Sequence, residues 1–446
     1  MNPHGNLSRR QLLAGIGATT ALGLAGCSAG SLGSSDSGGN SNAKVTLKWQ
    51  VGNTEDGIAS AKNVVKHFTA KHPDIAITLD PVPGGTEGDN LVKTRLSTGS
   101  MDDVFGYNSG SLFHAIDPVK NLVPISDQSY VSQLEKTFVS VVTEQGKVYG
   151  VPAASAQGGG ILYSKPVYEK LGLEVPKTWD DFIENCKKVK SDAKEVAPIL
   201  QTYGTDWTAQ LFVLADYHNV QAQDAEWPTK YTKNQVHYAQ EPALAGWMHL
   251  QQTHDLKLFN SDFASATYDD GLKMIANGQG AHYPMLSQAV SGIAATYPNK
   301  IDDIGFFAQP GQDAAKVGLT GWLPNAVYIP TSTKGDKLEA AKKFLAFLAS
   351  PDGCAAFGDY SPPSGPYAVD GCALPDAVPQ AIKDVAAYFD DAKVTPALEF
   401  VSPIKGPAMP ALCVEVGSGI KSGKQGAQLY DQDVKKQAQQ LGLPGW

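Results

Sequence analysis

The sequence predicts an α/β protein built from two domains. Predicted strands and helices alternate along the chain, a pattern typical of largely parallel sheets covered by helices. About four hundred residues follow the first 43, which is more than one small hydrophobic core accommodates.

A β-α-β-α-β unit is predicted where the globular part begins. The apolar residues of its first helix recur at helical spacing and share one face, and Pro73 ends that helix. These apolar residues are Ile58, Ala61, Val65 and Phe68. The five elements, in chain order, are KVTLKWQV (44–51), GIASAKNVVKHFTAKHPD (57–74), IAITLDPV (75–82), DNLVKTRLSTG (89–99) and DDVFGYN (102–108).

Two later helices have clear signatures. Thr178 stands three residues before Asp181, as in a capping box, and predicts a helix that runs to about Lys190. The segment 336–350 carries an apolar stripe typical of a helix that packs on a core. The stripe consists of Leu338, Ala341, Leu345 and Leu348.

The first 43 residues predict export and a membrane tether. A twin arginine in SRRQLL (8–13) precedes a short apolar run, which indicates a signal peptide over residues 1–26. The run ends in LAGC, which resembles the lipobox of bacterial lipoproteins, so Cys27 is the expected lipidation site. An ordinary signal peptide followed by a chance cysteine is the alternative. Residues 27–43 are rich in Ser, Gly and Asn and predict a flexible linker.

Composition excludes one class of partner. The chain has a net charge of −9 and no basic tract, whereas nucleic-acid binding requires clustered Lys and Arg. Four cysteines remain besides Cys27, an even number that permits disulfides outside the cytoplasm. We predict a bridge between Cys354 and Cys372, which bracket a turn-rich loop, and expect Cys186 and Cys413 to be buried thiols.

Catalytic and metal-binding motifs are not evident in the sequence. It lacks a Gly-x-Ser-x-Gly elbow, a His-Glu-x-x-His helix and a Walker loop. The nine histidines are scattered without metal-site spacing. We therefore expect neither a cofactor nor a metal, and no enzymatic activity.

Aromatic residues beside amides and acids stand in several predicted loops at strand ends. In open α/β sheets the ligand crevice lies beyond the carboxyl ends of the strands. A pyranose offers apolar C–H faces and a rim of hydroxyls, which suit aromatic rings and amide or carboxylate groups. Core packing is the alternative for each ring, and we prefer it for Trp179. For Trp207 and Trp322, which are flanked by turn-forming residues, we prefer the crevice.

Three consecutive segments carry a resemblance to a known family. GKVYGVP (146–152), LYSKPVYEKLGL (162–173) and PKTWDDF (176–182) are similar to its pattern of Gly-Lys-x-Tyr-Gly-x-Pro, a Tyr-Asn-Lys-like strand end and Pro-x-Thr-Trp-Asp/Glu-Asp/Glu-Phe. The sequence resembles extracellular solute-binding lipoproteins of carbohydrate ABC transporters, the family to which maltose-binding protein belongs. Ser164 departs from the usual Asn, which affects a local hydrogen bond and not the fold.

The resemblance implies a two-lobed, periplasmic-binding-protein-like fold with sugar held between the lobes. The expected amino-terminal lobe comprises 44–152 and 309–360, and the carboxy-terminal lobe 153–308 and 361–446. The chain is expected to cross between the lobes at Tyr149–Ala154, Phe306–Gly311 and Asp359–Gly365.

Gly158, Gly159 and Gly160 have two interpretations. Glycine-rich loops cradle phosphate when a helix with Lys and Ser/Thr follows at fixed spacing. Here GGGILYSK (158–165) continues as a strand, so we favour close backbone packing after the hinge.

Candidate ligand contacts combine the resemblance with side-chain chemistry. Polar groups at strand ends are expected to bind sugar hydroxyls, and rings are expected to stack on the sugar. The candidates are Asn53, Glu55, Tyr107, Asn108, Gln157, Tyr203, Trp207, Tyr283, Trp322 and Asn325.

The resemblance also implies a mode of action and partners. A carbohydrate would favour lobe closure, and the closed form of a monomer, held at the membrane through Cys27, would be recognised by ABC transporter permease subunits. A secreted glycan-active hydrolase and a binding protein for peptides or other polar solutes are the alternatives, because a fold alone does not decide the ligand.

Overall fold

The computed structural model describes residues 43–446. The predicted signal peptide, Cys27 and nearly all of the predicted linker lie outside the described residues.

Strands of the described chain fall into two larger sheets and one small hairpin. They are β1 (Val45–Gly52), β2 (Ile75–Val82), β3 (Val104–Tyr107), β4 (Thr143–Glu144), β5 (Lys147–Val148), β6 (Gly150–Pro152), β7 (Gln157–Ser164), β8 (Ala197–Ile199), β9 (Gly280–Leu286), β10 (Ile304–Ala308), β11 (Leu319–Trp322), β12 (Ala326–Tyr328) and β13 (Val394–Pro396).

Helices cover these sheets. Within residues 43–446 they are α1 (Glu55–Lys71), α2 (Gly85–Thr98), α3 (Ser111–His114), α4 (Pro118–Asn121), α5 (Lys136–Val141), α6 (Lys165–Leu171), α7 (Trp179–Asp192), α8 (Leu211–Leu214), α9 (Tyr217–Gln223), α10 (Trp227–Thr232), α11 (Leu244–Asp255), α12 (Tyr268–Ala276), α13 (Gln288–Thr296), α14 (Gly335–Leu348), α15 (Pro351–Gly358), α16 (Gln380–Asp390), α17 (Leu398–Val401), α18 (Met409–Gly417) and α19 (Gly423–Gln440).

The first sheet has the order β2-β1-β3-β12-β6. Strands β2, β1 and β3 are parallel, and β12 is antiparallel to both β3 and β6. The predicted β-α-β-α-β unit is thus confirmed. We call this sheet and its helices the first lobe.

Packing of α14 on the first sheet follows from its apolar stripe. Ala341, Leu345 and Leu348 are buried as predicted. The ring of Phe344, on the same helix, lies 5.0 Å from Trp49 of β1 in an edge-on arrangement. This aromatic pair packs α14 against the first sheet.

The second sheet has the order β13-β11-β7-β9-β8, and β10 also pairs with β7. We call this sheet and its helices the second lobe. Its helix α7 begins with the predicted capping box, in which Thr178 and Asp181 each accept a backbone N–H from the other. Trp179 is 2 % exposed and donates its indole N–H to Gln252 at 2.7 Å, so its preferred assignment to the core is confirmed.

Gly158–Gly160 lie within β7 and no helix follows them directly. A Cβ at Gly159 would stand 2.3 Å from the ring of Trp322, a distance that real side chains do not tolerate. The glycines therefore provide room for close packing, as the strand interpretation predicts.

The chain crosses between the lobes later than predicted on two occasions. β10 and β11 both pair with β7, so the return to the first lobe falls between Trp322 and Ala326 and the predicted crossing at Phe306–Gly311 is wrong. The third crossing is also displaced, because Val369 still pairs with Leu134 of the first lobe.

A disulfide explains the late third crossing. Cys354 and Cys372, the predicted pair, are bonded and return the chain to the first lobe at Cys372, although Ser361 and Ser364 within the loop bond Ser291 of the second lobe. The predicted crossing at Asp359–Gly365 therefore lies inside a closed loop, and the chain leaves the first lobe only after Cys372. Cys186 and Cys413 are buried free thiols, as expected.

Candidate functional site

A cleft of about 480 Å³ lies between the two lobes. On the first lobe it begins where β1, β2 and β3 end, at Gly52–Thr54, Gly84–Gly85 and Asn108. This is the edge at which open α/β sheets bind ligands. The second lobe closes the other side with residues from β7, α8, α12 and the segment 204–210, which includes the 3-10 helix Asp206–Gln210.

Three aromatic residues form part of the second-lobe wall. Trp207 is half-buried, and its ring lies 5.5 Å from that of Tyr268 in a tilted arrangement. Trp322, at the end of β11, is 8 % exposed. Because Trp207 keeps a larger free surface than Trp322, it offers the better face for a flat apolar ligand.

Glu399 fixes the position of the Trp322 ring. Its carboxylate accepts the indole N–H of Trp322 at 2.8 Å through one oxygen and pairs with Lys405 through the other at 2.5 Å. Glu399 is 7 % exposed and the Lys405 side chain 11 %. The charges of this pair offset each other, and both residues line the cleft.

Asp89 and Asp269 are the other charged residues of the cleft wall. Burial raises the pKa of the Asp89 carboxyl, while the nearby Lys405 acts in the opposite direction. Burial likewise raises the pKa of Asp269 to about 6, and the carboxylates of Asp56 and Glu55 add to the increase. Both groups thus lie in surroundings that leave their negative charge incompletely compensated.

Second-lobe carboxylates meet two helix N-termini of the first lobe. Asp206 accepts the backbone N–H of Thr86 at 3.4 Å, and Asp269 accepts that of Glu55 at the same distance. Helix α2 starts at Gly84 and Gly85, which supply no side-chain cap. Carboxylates are favourable at such N-termini, but for Asp269 burial and the neighbouring carboxylates outweigh the contact with Glu55 and raise its pKa.

Six of the predicted ligand contacts line the cleft. Asn53 and Asn108 come from the first lobe and Gln157 from the start of β7, while Asn325 belongs to the segment that returns to the first lobe. Trp207 and Trp322 complete the group. The structure brings these residues around one cavity although they are spread over 273 positions of the sequence.

Two predicted contacts from the first lobe lie outside the cleft wall. Glu55 is the first residue of α1 and its side chain is exposed. Tyr107 is 7 % exposed, and its hydroxyl lies beside the Asp89 carboxylate, where burial and that negative charge raise its pKa. Tyr107 therefore packs beside Asp89 below the cleft wall and does not face the cavity.

Two predicted contacts from the second lobe belong to its core. Tyr203 is 6 % exposed and packs edge-on against Phe263 at 5.4 Å. Tyr283 is 1 % exposed, with its hydroxyl 2.9 Å from that of Thr202. Neither ring reaches the cleft, because the strand and loop that carry them turn these side chains inward.

Several cleft residues were not predicted from the sequence. They are polar or aromatic side chains contributed mostly by helices and not by strand-end loops. The principal ones are Asp89, Gln210, Tyr268, Asp269, Gln288, Glu399 and Lys405. The Thr267–Asp270 capping box was the available signal for Tyr268 and Asp269, since it marks a helix start.

The buried histidines have structural surroundings. His249 stacks on Trp179 with ring centres 3.7 Å apart, and burial lowers its pKa to about 3. His282 lies 2.7 Å from the carbonyl oxygen of Pro198. Within residues 43–446, no group of three or more His, Cys, Asp or Glu side chains is arranged to hold a metal ion.

Comparison with known proteins places the chain in a family. The family model described as bacterial extracellular solute-binding protein matches residues 52–353, which is more than half of the chain. The protein belongs to the bacterial extracellular solute-binding protein family. The members of this family are receptors for solutes, not enzymes. No helix in the described part of this solute-binding protein has the length and apolar character needed to cross a membrane.

Similar proteins extend over most of this solute-binding protein. The multiple sugar-binding protein of Streptococcus mutans is 26 % identical over 369 residues, which cover 81 % of this chain and 82 % of that protein. The melibiose/raffinose/stachyose-binding protein MelE of Bacillus subtilis is 23 % identical and covers 74 % of each chain. A solved structure of a sugar transporter from Bacillus licheniformis in complex with stachyose has a TM-score of 0.71 at 18 % identity, over 88 % of this chain and 99 % of that one.

Proposed function

We propose that this solute-binding protein binds a sugar or oligosaccharide outside the cytoplasm and delivers it to an ABC transporter. The observation that carries the proposal is the composition of the cleft. Half-buried Trp207 offers a flat apolar face, and Asn53, Asn108 and Gln157 offer amide groups nearby. Such a combination suits the C–H faces and hydroxyl rim of a saccharide. The sugar-binding relatives support the same ligand class.

The ligand acts by favouring the arrangement in which both lobes contact it. A saccharide that touches Asn53 on one lobe and Trp207 on the other gains both sets of contacts only when the lobes are close together. It shifts the lobe equilibrium by this difference in affinity. Permease subunits would then distinguish the loaded protein by the surface that the closed lobes form.

A glycan hydrolase, the main alternative, is not favoured. Such enzymes need two carboxyl groups that flank one glycosidic bond at about 5 to 10 Å. Of the cleft carboxylates, Glu399 is committed to Trp322 and Lys405. Family membership also favours a receptor. We further propose that the protein is a monomer and that lipidated Cys27, exposed by removal of residues 1–26, anchors it to the outer face of the cell membrane.

A saccharide panel tests the proposed function. Neutral mono- and oligosaccharides, raffinose and maltotriose among them, are screened against the full chain for an increase in melting temperature. A ligand that binds only the folded protein stabilises it, so we expect at least one saccharide to raise the melting temperature and to be recovered intact by chromatography. Recovery of a cleaved product would support the hydrolase. A response to peptides alone would overturn the carbohydrate assignment.

A further inference from the structure

We propose that the cleft selects saccharides that carry no negative charge. This inference rests on the proposed function and concerns its ligand class. Uronic acids, sulfated sugars and sugar phosphates would be rejected, and neutral sugars would be bound.

Charge balance in the cleft wall is the first observation. Among the described lining residues, Lys405 is the one cation, and its ammonium group is already paired with Glu399. Asp89 shares the influence of this one ammonium group with Glu399, and Asp269 has no cationic partner in the wall. The cleft therefore presents a net negative charge to a ligand, in surroundings that are screened from water more than an open surface is.

The carboxylates around the mouth add to this field. Glu55 and Asp56 approach Asp269 from the first lobe, and Asp270 does so from its own helix. Asp206 faces the N-terminus of α2. Lys93 lies behind Asp89 on α2 and partly offsets its charge, but it does not line the cleft.

Unsatisfied acceptors are the second, independent observation. The buried side-chain carbonyl oxygens of Gln157 and Gln210 have no hydrogen-bond partner within residues 43–446, and both residues line the cleft. Gln210 is only 9 % exposed. A buried acceptor without a donor costs free energy, and ionised Asp89 and Asp269 are also acceptors only.

The chemistry of the ligand follows from these two observations. Hydroxyl groups donate hydrogen bonds to carboxylates and amide oxygens, and such bonds to ionised groups are strong. A ligand carboxylate or phosphate has only acceptors to offer and would meet like charge. The wall thus combines attraction for donors with repulsion of anions, which is how specific sites exclude the wrong partner.

Matched saccharide pairs test the inference. Raffinose, and every other neutral saccharide that binds in the panel, is compared with its derivative oxidised to a carboxylate at a C6 primary alcohol. The dissociation constants of both members are measured by calorimetry at low salt and at about 0.5 M salt. We expect the carboxylate to bind at least tenfold more weakly at low salt, with a smaller ratio at high salt because salt screens the repulsion.

Variants assign the effect to the cleft. The double substitution Asp89→Asn and Asp269→Asn is expected to reduce the ratio of the two dissociation constants severalfold, because it removes two negative charges from the cleft wall but keeps the side-chain size. Asp302→Asn, at an exposed position of the second lobe, is the control and should leave the ratio unchanged. The measured quantity is the ratio between the dissociation constants of the carboxylated and the neutral saccharide. A loss of affinity that is equal for both ligands therefore does not change it.

The possible outcomes are distinct. A carboxylated saccharide that binds as tightly as its neutral partner, or a ratio that the double variant does not change, would overturn charge selection and leave sugar binding intact. If no saccharide of the neutral panel binds, the proposed function itself fails, and the inference fails with it.

Discussion

Replacement of Trp207 by alanine is predicted to weaken saccharide binding about tenfold. Tyr268 covers part of the indole, and the ring remains half-buried in the absence of ligand. The buried half is unavailable, and a ligand stacks on only one of the two ring faces. About a quarter of a tryptophan surface of ~250 Å², or ~60 Å², is therefore free for stacking. At ~25 cal/mol per Å² this face contributes ~1.5 kcal/mol, which corresponds to about a tenfold change in Kd.

Calorimetry with the saccharide that gives the largest thermal shift measures this change. Trp446→Ala is the matched control, because Trp446 is also half-buried but packs near Tyr231, away from the cleft. Melting curves without ligand establish that both variants fold. If Trp207→Ala binds within twofold of the parent while Trp446→Ala also does, stacking on Trp207 is refuted and the site must use other surfaces.

Three further predictions concern stability and pH. Lys405→Met leaves the buried Glu399 carboxylate without its cation, so the free energy of unfolding measured with denaturant should fall by about 3 kcal/mol. Adding Glu399→Gln should restore most of this loss, and an unchanged unfolding midpoint for Lys405→Met would contradict the prediction. Replacing both Cys354 and Cys372 by serine opens a loop with a sequence separation of 18. Under oxidising conditions this should lower the free energy of unfolding by about 3 kcal/mol, whereas equal stability of parent and variant would show that the bridge contributes nothing. The pKa of Asp269 is raised to about 6 where the lobes touch and is expected to return toward ~4 when they separate. Between pH 4 and pH 6 the touching state therefore binds more protons than the separated state, and the stabilisation that this proton provides is lost as the pH rises through 6. Without ligand, the population ratio of touching to separated molecules should therefore fall about threefold from pH 5 to pH 7, a modest change for a half-exposed group. Small-angle X-ray scattering measures this ratio, and Asp269→Asn should flatten its pH profile; a parent profile that is flat or rises would refute the assignment.

The sequence was sufficient for the main elements and for part of the cleft. Strong periodicity and a capping box identify α1, α7 and α14 without tertiary information, because these signals are local. Asn53 and Asn108 were accessible for a similar reason, since each follows a well-marked strand. Polar residues directly after parallel strands necessarily gather at one edge of the sheet.

The remaining cleft residues depend on packing that no local pattern records. Tyr203 and Trp207 stand four positions apart in one turn-rich segment, yet one ring enters the core and the other reaches the cleft. Successive side chains of a strand point to opposite faces of the sheet. On β9, Tyr283 is on the face that points into the core, and a shift of one residue would have placed it on the other face. Glu399 and Lys405 follow no strand-end pattern and become neighbours of Trp322 only through tertiary packing.

The placement of β12 has a consequence for biosynthesis. Residues 326–328 separate β3 from β6 in the first sheet, so β3 has no neighbour on that side until about three-quarters of the chain has been translated. A nascent chain that ends earlier exposes an unpaired strand edge, which invites association with other chains. The first sheet is therefore complete only after residues 326–328 have been synthesised.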